Sequence, residues 1–268
     1  MNEQNFDFLS RQLKYGGFGE GLQTELREKM GEGRDQFTLL HRAVFGTQET
    51  EAALQFKRSE NADMYFLNNY LLRIKNENGE PGQAQSFGAS RQNGITLKEA
   101  YNLMHGRAVY KELSPKEGEK FRAWLQLNFK EVDEFGNFKT RMFHDNYGFD
   151  LRKTLVKYPI KELASAETAN SLVRSLERGN LHTVTMVQGG KEEKMMIEAN
   201  PQFKTLNVYN TEGLRMNIHA EKMGLSEKTA ERQTEKKNKK LEEGSGEGET
   251  EGPKQTQKQS KRHRERLS

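Results

Sequence analysis

Several features that define common classes of protein are missing from this sequence. It contains no cysteine, which excludes a disulfide framework, a thiolate metal site and a cysteine nucleophile. No apolar run approaches the roughly 20 residues that a membrane-spanning helix needs. Residues Met1 to Asn5 lack the basic and then apolar pattern of a signal peptide. We therefore expect a cytoplasmic protein that makes no contact with a membrane.

Motifs for catalysis and for metal binding are also missing. The six histidines show neither HxxxH nor HExxH spacing, and no serine lies in a GxSxG sequence. His144 and Asp145 are neighbours that could act as an acid–base pair, but no motif places a nucleophile beside them. We expect no catalytic residue, no metal ion and no cofactor. An enzyme whose catalytic residues converge from distant segments is kept as an alternative.

The stretch Lys14-Tyr-Gly-Gly-Phe-Gly-Glu-Gly21 holds four glycines but does not predict a phosphate-binding loop. Such a loop follows a strand and opens a helix, whereas this stretch lies between two helical patterns, and neither consensus glycine spacing fits. We expect Gly16 to end the first helix in a left-handed conformation and Gly19 or Glu20 to open the second. The apolar positions of these helices are Phe6, Leu9 and Leu13, then Leu22, Leu26 and Met30.

The remaining pattern predicts an α+β fold whose strands form antiparallel hairpins. Thr96-Leu-Lys-Glu99 is a capping box that begins a helix, and Gly106 ends that helix. Asp150 caps a short helix, and a longer one begins at Ser165. The predicted strands cover residues 37–45, 52–57, 64–74, 121–129, 138–143, 182–187, 194–199 and 203–209.

Two stretches resemble each other and suggest an internal repeat. Each reads as a helix, a glycine that stops it, and three strands, and we interpret them as a diverged αβββ repeat, with chance similarity as the alternative. The predicted units are 1–95, 96–164 and 165–219, followed by a tail over 220–268. The aligned segments are 103–107 with 176–180, 125–128 with 197–200, and Asn137-Phe-Lys-Thr140 with Gln202-Phe-Lys-Thr205.

The tail carries most of the net charge of the chain. Residues 220–268 hold 13 Lys or Arg and 10 Asp or Glu, a net +3 out of the +4 of the whole chain. With so few apolar residues the tail cannot bury enough surface to offset its ordering entropy, so we expect disorder. Its basic end can attract polyanions without sequence preference, with a solubilising role as the alternative. The basic residues concerned include Lys261, Arg262, Arg264 and Arg266.

The single tryptophan, Trp124, lies in the predicted strand 121–129, where apolar and polar residues alternate. Alternation places Trp124 on the polar face of the sheet. An aromatic ring among cations on a sheet suits base stacking and phosphate contact. The alternative is that a helix covers this face and Trp124 belongs to the core. The cations expected on this face are Arg122, Lys130, Lys139 and Arg141.

Four segments carry a resemblance to a known group of sequences. They are residues 5–26, Leu97-Lys-Glu-Ala-Tyr-Asn-Leu-Met104, Asn146-Tyr-Gly-Phe-Asp-Leu151 and Glu198-Ala-Asn-Pro-Gln-Phe-Lys-Thr205. Over nearly all of residues 1–215 the chain resembles a family of uncharacterised proteins, with a domain of unknown function, from Bacteroides-type bacteria and their mobile elements. The resemblance implies a bacterial cytoplasm and DNA-associated surroundings. It brings no catalytic or binding residue with it.

The sequence thus favours a non-enzymatic binding or accessory protein that associates with nucleic acid on a mobile element. Weak capture by the tail would combine with selectivity from the face around Trp124. The second interpretation is a protein–protein interaction module that binds an unknown protein through an exposed strand edge or an apolar groove, without nucleic acid. The two differ in the salt dependence of their affinity.

Overall fold

The computed structural model describes residues 1–76, 78–115 and 117–218. These residues form an α+β fold with three antiparallel sheets, which confirms the predicted fold class. Within the described ranges no helix is long and apolar enough to cross a membrane. The predicted tail over 220–268 lies outside the described residues.

Two helices open the chain and are joined through the glycine stretch. Helix α1 spans Glu3–Leu13, a π-helical turn covers Lys14–Phe18, and helix α2 spans Gln23–Gly31. The predicted left-handed position at Gly16 is wrong, because Gly17 has the positive φ of 89° and Gly16 continues the helical turn. The helical backbone therefore extends through Gly16, one residue further than expected.

The first sheet has four strands in sequence order, β1-β2-β3-β4. The apolar faces of α1 and α2 belong to the same core as the inner face of this sheet, where Leu9, Leu26, Leu54 and Tyr70 are completely buried. Strand β4 was not predicted, because its sequence of Pro, Gly, Gln and Ser lacks a strand pattern. The strands are β1 (Gln36–Phe45), β2 (Gln48–Arg58), β3 (Tyr65–Lys75) and β4 (Pro81–Gly88).

The second sheet has three strands, β5-β6-β7, and follows helix α3. The predicted capping box is present, since the Thr96 side chain and the Glu99 side chain each pair with the other residue's backbone N–H. Val109, Leu125 and Leu127 extend the core of the first sheet, so the two sheets share one apolar interior. The elements are α3 (Leu97–Met104), β5 (Val109–Leu113), β6 (Phe121–Val132) and β7 (Phe138–His144).

The third sheet has the order β11-β10-β9-β8, and its strands pair one after another along the chain. Asp150 caps α4, as predicted, by accepting a hydrogen bond from the backbone N–H of Lys153 at 3.0 Å. The elements are α4 (Leu151–Leu155), α5 (Ala166–Glu177), β8 (His182–Gln188), β9 (Lys191–Asn200), β10 (Thr205–Tyr209) and β11 (Arg215–Met216). Short 3-10 turns cover Asp145–Tyr147, Lys161–Ala164 and Pro201–Phe203.

The second and third sheets each follow a helix and pair their strands in chain order, with three strands after α3 and four after α5. Gly106 and Gly179 follow α3 and α5 with nearly equal φ values of 76° and 77°. The two helices also meet, because the Asn102 side-chain amide donates to the Arg178 carbonyl at 2.8 Å and to Asn180 Oδ1 at 2.9 Å. Each sheet lies within one of the ranges 1–95, 96–164 and 165–219.

Candidate functional site

Trp124 lies in the interior and not on an open sheet face. Its exposed fraction is 4 %, and its ring lies 5.1 Å from that of Tyr110 and 5.4 Å from that of Phe149. Phe149, in the segment after β7, packs on the sheet face that strand alternation predicted to be polar and exposed. Trp124 cannot stack on a base in this structure. The alternative in which Trp124 belongs to the core is therefore the one that the geometry supports.

Strand alternation in β6 is interrupted at both ends. Ala123, Trp124 and Leu125 are all buried, since both faces of the sheet are covered there. Phe129, expected on the buried face, is instead exposed, and its ring meets that of Phe138 edge-on at 4.7 Å. A register shift between Asn128 and Val132 ends the regular pairing with β7.

Strand register brings Lys139 and Arg141 to one end of the second sheet. Arg141 is opposite Gln126 and Lys139 is opposite Asn128, as the hairpin predicts. Arg141 donates to Asn128 Oδ1 at 2.9 Å, and Lys139 Nζ lies 3.5 Å from Glu131. Lys139 and Arg141 are both exposed.

The other predicted cations are placed differently. Arg122 is exposed, and its guanidinium lies 3.6 Å from the Glu112 carboxylate. Along β6 it is four residues, or about 13 Å, from Gln126, the residue opposite Arg141. Lys130 is exposed within the register shift, where alternation no longer determines its face. The structure thus does not gather all four cations around Trp124. Lys261, Arg262, Arg264 and Arg266 lie outside the described residues.

Three further residues, Tyr147, Phe203 and Lys204, are linked to Arg141 through Gln202. Tyr147 donates its hydroxyl to the Gln202 carbonyl at 3.0 Å, and Arg141 Nη1 approaches Gln202 Oε1 at 3.5 Å. Lys204 Nζ lies 4.7 Å above the centre of the Tyr147 ring. Phe203 is 69 % exposed and Tyr147 is 40 % exposed. We call the set Lys139, Arg141, Tyr147, Phe203 and Lys204 the basic aromatic surface.

The backbone at this surface is unusual. Lys204 has φ 53°, and it is the one non-glycine residue with a positive φ among those the structure describes. Strained backbone of this kind persists where surrounding structure holds it, and it is found often at functional sites. The predicted repeat offers a signal for this residue, since its alignment of the two Phe-Lys-Thr segments makes Lys204 the counterpart of Lys139.

The charge of the basic aromatic surface is only partly neutralised. Arg141 contacts the neutral amide oxygens of Asn128 and Gln202, and within the described ranges neither Arg141 nor Lys204 forms an ion pair. Lys139 has a carboxylate partner in Glu131, but both side chains are more than half exposed, so the pair is weak. The surface therefore offers two uncompensated positive charges next to two exposed rings.

His144 and Asp145, the neighbours weighed as an acid–base pair, have separate partners. Asp145 accepts a hydrogen bond from the Tyr110 hydroxyl at 2.7 Å, and the His144 ring instead lies 5.0 Å from the Phe121 ring. Burial, together with the hydrogen bond to Asp145, raises the pKa of Tyr110 to about 12, so this hydroxyl stays protonated. Within residues 1–218, where described, no group of three His, Asp or Glu side chains is arranged to hold a metal ion.

Comparison of the chain with protein-family models, with curated proteins and with solved structures gives no match. No residue role is therefore transferred from a relative, and function is inferred from geometry and charge.

Proposed function

We propose that this protein is a non-enzymatic binding protein that contacts single-stranded nucleic acid through the basic aromatic surface. The supporting observation is that two exposed rings, Tyr147 and Phe203, adjoin two cations without carboxylate partners, Arg141 and Lys204. Every nucleic-acid base has a π face, so exposed rings bind single strands with little sequence preference, and neighbouring cations follow the phosphates.

The charge distribution sets the expected strength of binding. Residues 1–219 are nearly neutral, so the basic aromatic surface acts without a large electrostatic field around it. The basic end of the chain, residues 254–266, adds attraction that is independent of sequence and falls with salt. We propose weak, salt-dependent binding of this kind for an accessory protein on a bacterial mobile element, the setting implied by the resemblance in sequence.

The first test is fluorescence anisotropy of labelled single-stranded DNA and RNA, with double-stranded DNA for comparison, at several salt concentrations. Tyr147→Ala and Phe203→Ala should each weaken binding to single strands at least about fivefold, because one stacked base contributes roughly 1–3 kcal/mol. Arg141→Gln combined with Lys204→Gln should lower the slope of log affinity against log salt by about 1.4, since each phosphate contact contributes about 0.7 for single strands.

Matched control variants separate this surface from general effects of charge and apolarity. Phe135→Ala removes another highly exposed ring, and Lys57→Gln with Arg73→Gln removes two exposed cations from the first sheet. Both controls should bind as the unaltered protein does. Equal loss in the controls would contradict the assignment of the surface. If replacing the four tail cations by Gln abolishes binding while the surface variants bind as the unaltered protein does, the binding is assigned to the tail.

The second candidate, a protein–protein interaction module, has one observation in its favour. Strand β1 lies at the edge of the first sheet over ten residues and exposes Leu40 and Val44. Long edge strands with apolar side chains pair readily with a strand of another chain. This candidate predicts a partner that is retained at high salt and is lost on Leu40→Lys. The Tyr147 and Phe203 variants should leave that partner bound.

A further inference from the structure

A cavity of about 440 Å³ lies between the end of α1 and the segment that joins β4 to α3. This volume falls in the range of sites for small molecules, about 300–1,000 Å³. Buried Phe18 and Leu67 line the cavity, and so does half-buried Ile95. Two exposed rings, Phe8 and Tyr15, also line it, and Tyr15 is 76 % exposed. The cavity therefore offers an apolar interior and free aromatic faces.

The polar side of the cavity is positively charged. Arg11, Arg91 and Lys111 line it, and none of its lining residues is Asp or Glu. Lys111 is neutralised by Glu99, whose two carboxylate oxygens lie 3.0 and 3.2 Å from Lys111 Nζ. Across the described ranges, by contrast, Arg11 and Arg91 make no ion pair with a carboxylate. Two guanidinium groups are thus left to pair with an anion from outside the chain.

The walls of the cavity are held in place without a ligand. The Gln12 side-chain amide donates to the carbonyls of Leu67 at 2.9 Å and of Ala89 at 2.7 Å, which ties α1 to both strand ends. A Cβ at Gly94 would lie 2.3 Å from the Ser90 carbonyl oxygen, so the loop depends on glycine there. A Cβ at Gly16 would lie 2.9 Å from the Phe18 ring. Preformed walls of this kind lower the cost of binding.

We propose that this cavity binds a small molecule with a flat aromatic body and one anionic group, a phosphate or a carboxylate. The ring lies against Tyr15 and Phe8, and the anion pairs with Arg11 and Arg91. Guanidinium groups match both anions through paired N–H donors. Of the four glycines in the stretch Lys14–Gly21, Gly16 lines the cavity. The cavity shares no residue with the basic aromatic surface, so the site goes beyond the function proposed above.

The test uses 8-anilinonaphthalene-1-sulfonate as the probe, since it combines an aromatic body with an anion and fluoresces when shielded from water. N-phenyl-1-naphthylamine has the same rings without the sulfonate and measures the apolar part alone. With the full chain, the sulfonate should bind about tenfold more tightly than the neutral amine, the difference expected of one charge-assisted contact. Arg91→Gln should reduce this difference, Arg91→Gln combined with Arg11→Gln should remove it, and Tyr15→Ala should weaken both probes about fivefold or more.

Control variants locate the signal. Arg141→Gln and Tyr147→Ala remove an exposed guanidinium and an exposed ring at the other surface, and both should leave the titrations unchanged. 1-Naphthyl phosphate and 1-naphthoate should displace the probe, and the stronger competitor identifies the anionic group. Equal affinity for the two probes, displacement by neither competitor, or titrations of Arg91→Gln and Tyr15→Ala that match the unaltered protein would each overturn the site. Arg91 and Tyr15 are exposed, so their replacement should leave the thermal midpoint unchanged.

Discussion

Replacing Trp124 with alanine tests the placement of this side chain most directly. The ring is 4 % exposed and contacts Tyr110 and Phe149, and the backbone of Trp124 pairs with that of Phe143. Truncation of a buried tryptophan leaves a cavity and costs about 3–5 kcal/mol. The two aromatic contacts, worth roughly 0.5–1.5 kcal/mol each beyond their buried area, place the expected loss toward the upper half of that range. Such a loss is a large share of a typical domain stability of about 5–15 kcal/mol.

Urea unfolding followed by far-ultraviolet circular dichroism measures this loss, since the variant has no tryptophan fluorescence. Trp124→Phe serves as the milder variant, because it keeps an aromatic ring and should cost less than half as much. In the unaltered protein the emission of Trp124 should be blue-shifted and resistant to acrylamide quenching, and both properties should be lost on unfolding.

If Trp124 were exposed on the surface, both the urea unfolding and the fluorescence would give the opposite result. Trp124→Ala would then change the free energy of unfolding by less than about 0.5 kcal/mol, as substitutions at exposed sites usually do. Emission like that of free tryptophan, together with a loss of this small size, would refute the core placement and restore base stacking as a role for Trp124.

Three further substitutions, and one control at Gly46, test other parts of the fold. Gly179→Ala should cost more than about 1 kcal/mol in urea unfolding, because Gly179 has φ 77° and a Cβ there would lie 2.9 Å from a backbone carbonyl oxygen. Gly46→Ala, with φ 64° and open space around it, should cost less, and the reverse order would contradict this account. Asn5→Ala should cost at least about 1–3 kcal/mol, because it unpairs the buried backbone N–H and carbonyl of Tyr65, and an unchanged urea midpoint would contradict it. Asp150→Ala should cost about 1 kcal/mol at pH 7 as a lost helix cap. The hydrogen bond that the Asp150 carboxylate accepts from the Lys153 backbone N–H lowers the pKa of Asp150 in the folded protein. The stability that this carboxylate contributes is therefore complete above the pKa of the unfolded chain, and it is lost as the pH falls through the lower pKa of the folded protein. The difference in thermal midpoint should therefore shrink below about pH 4, and a constant difference would exclude this cause.

Helices and most strands followed from the sequence because their local signals agree with the fold. The capping box at Thr96 and the cap at Asp150 are both present, and the glycine stops at Gly106 and Gly179 adopt positive φ. Strand β4 was missed because its pairing with β3 comes from the sheet and not from its own composition. Strand β5 was missed for a similar reason, since only five residues pair with β6.

The basic aromatic surface could not be predicted from the sequence, because its position depends on which face of each strand is covered by other elements. Period-two alternation describes one buried face, whereas β6 is covered on both sides around Trp124. Lys139 and Arg141 were placed together because the hairpin register is local. The contact between Tyr147 and Lys204 was missed because 57 residues separate them along the chain, and the fold brings the Lys204 ammonium to the Tyr147 ring.

The contact between α3 and α5 determines where the chain can be divided. Asn102 in α3 holds the end of α5 through the Arg178 carbonyl and the Asn180 side chain, and Gly179 fits against the backbone of Ala108. A fragment cut between the predicted units 96–164 and 165–219 would lose the partners of Asn102, and one ending before residue 149 would uncover Trp124. We therefore expect that these two predicted units do not fold independently of each other. Native-state hydrogen exchange should find the amides of α3 and α5 opening in one cooperative step.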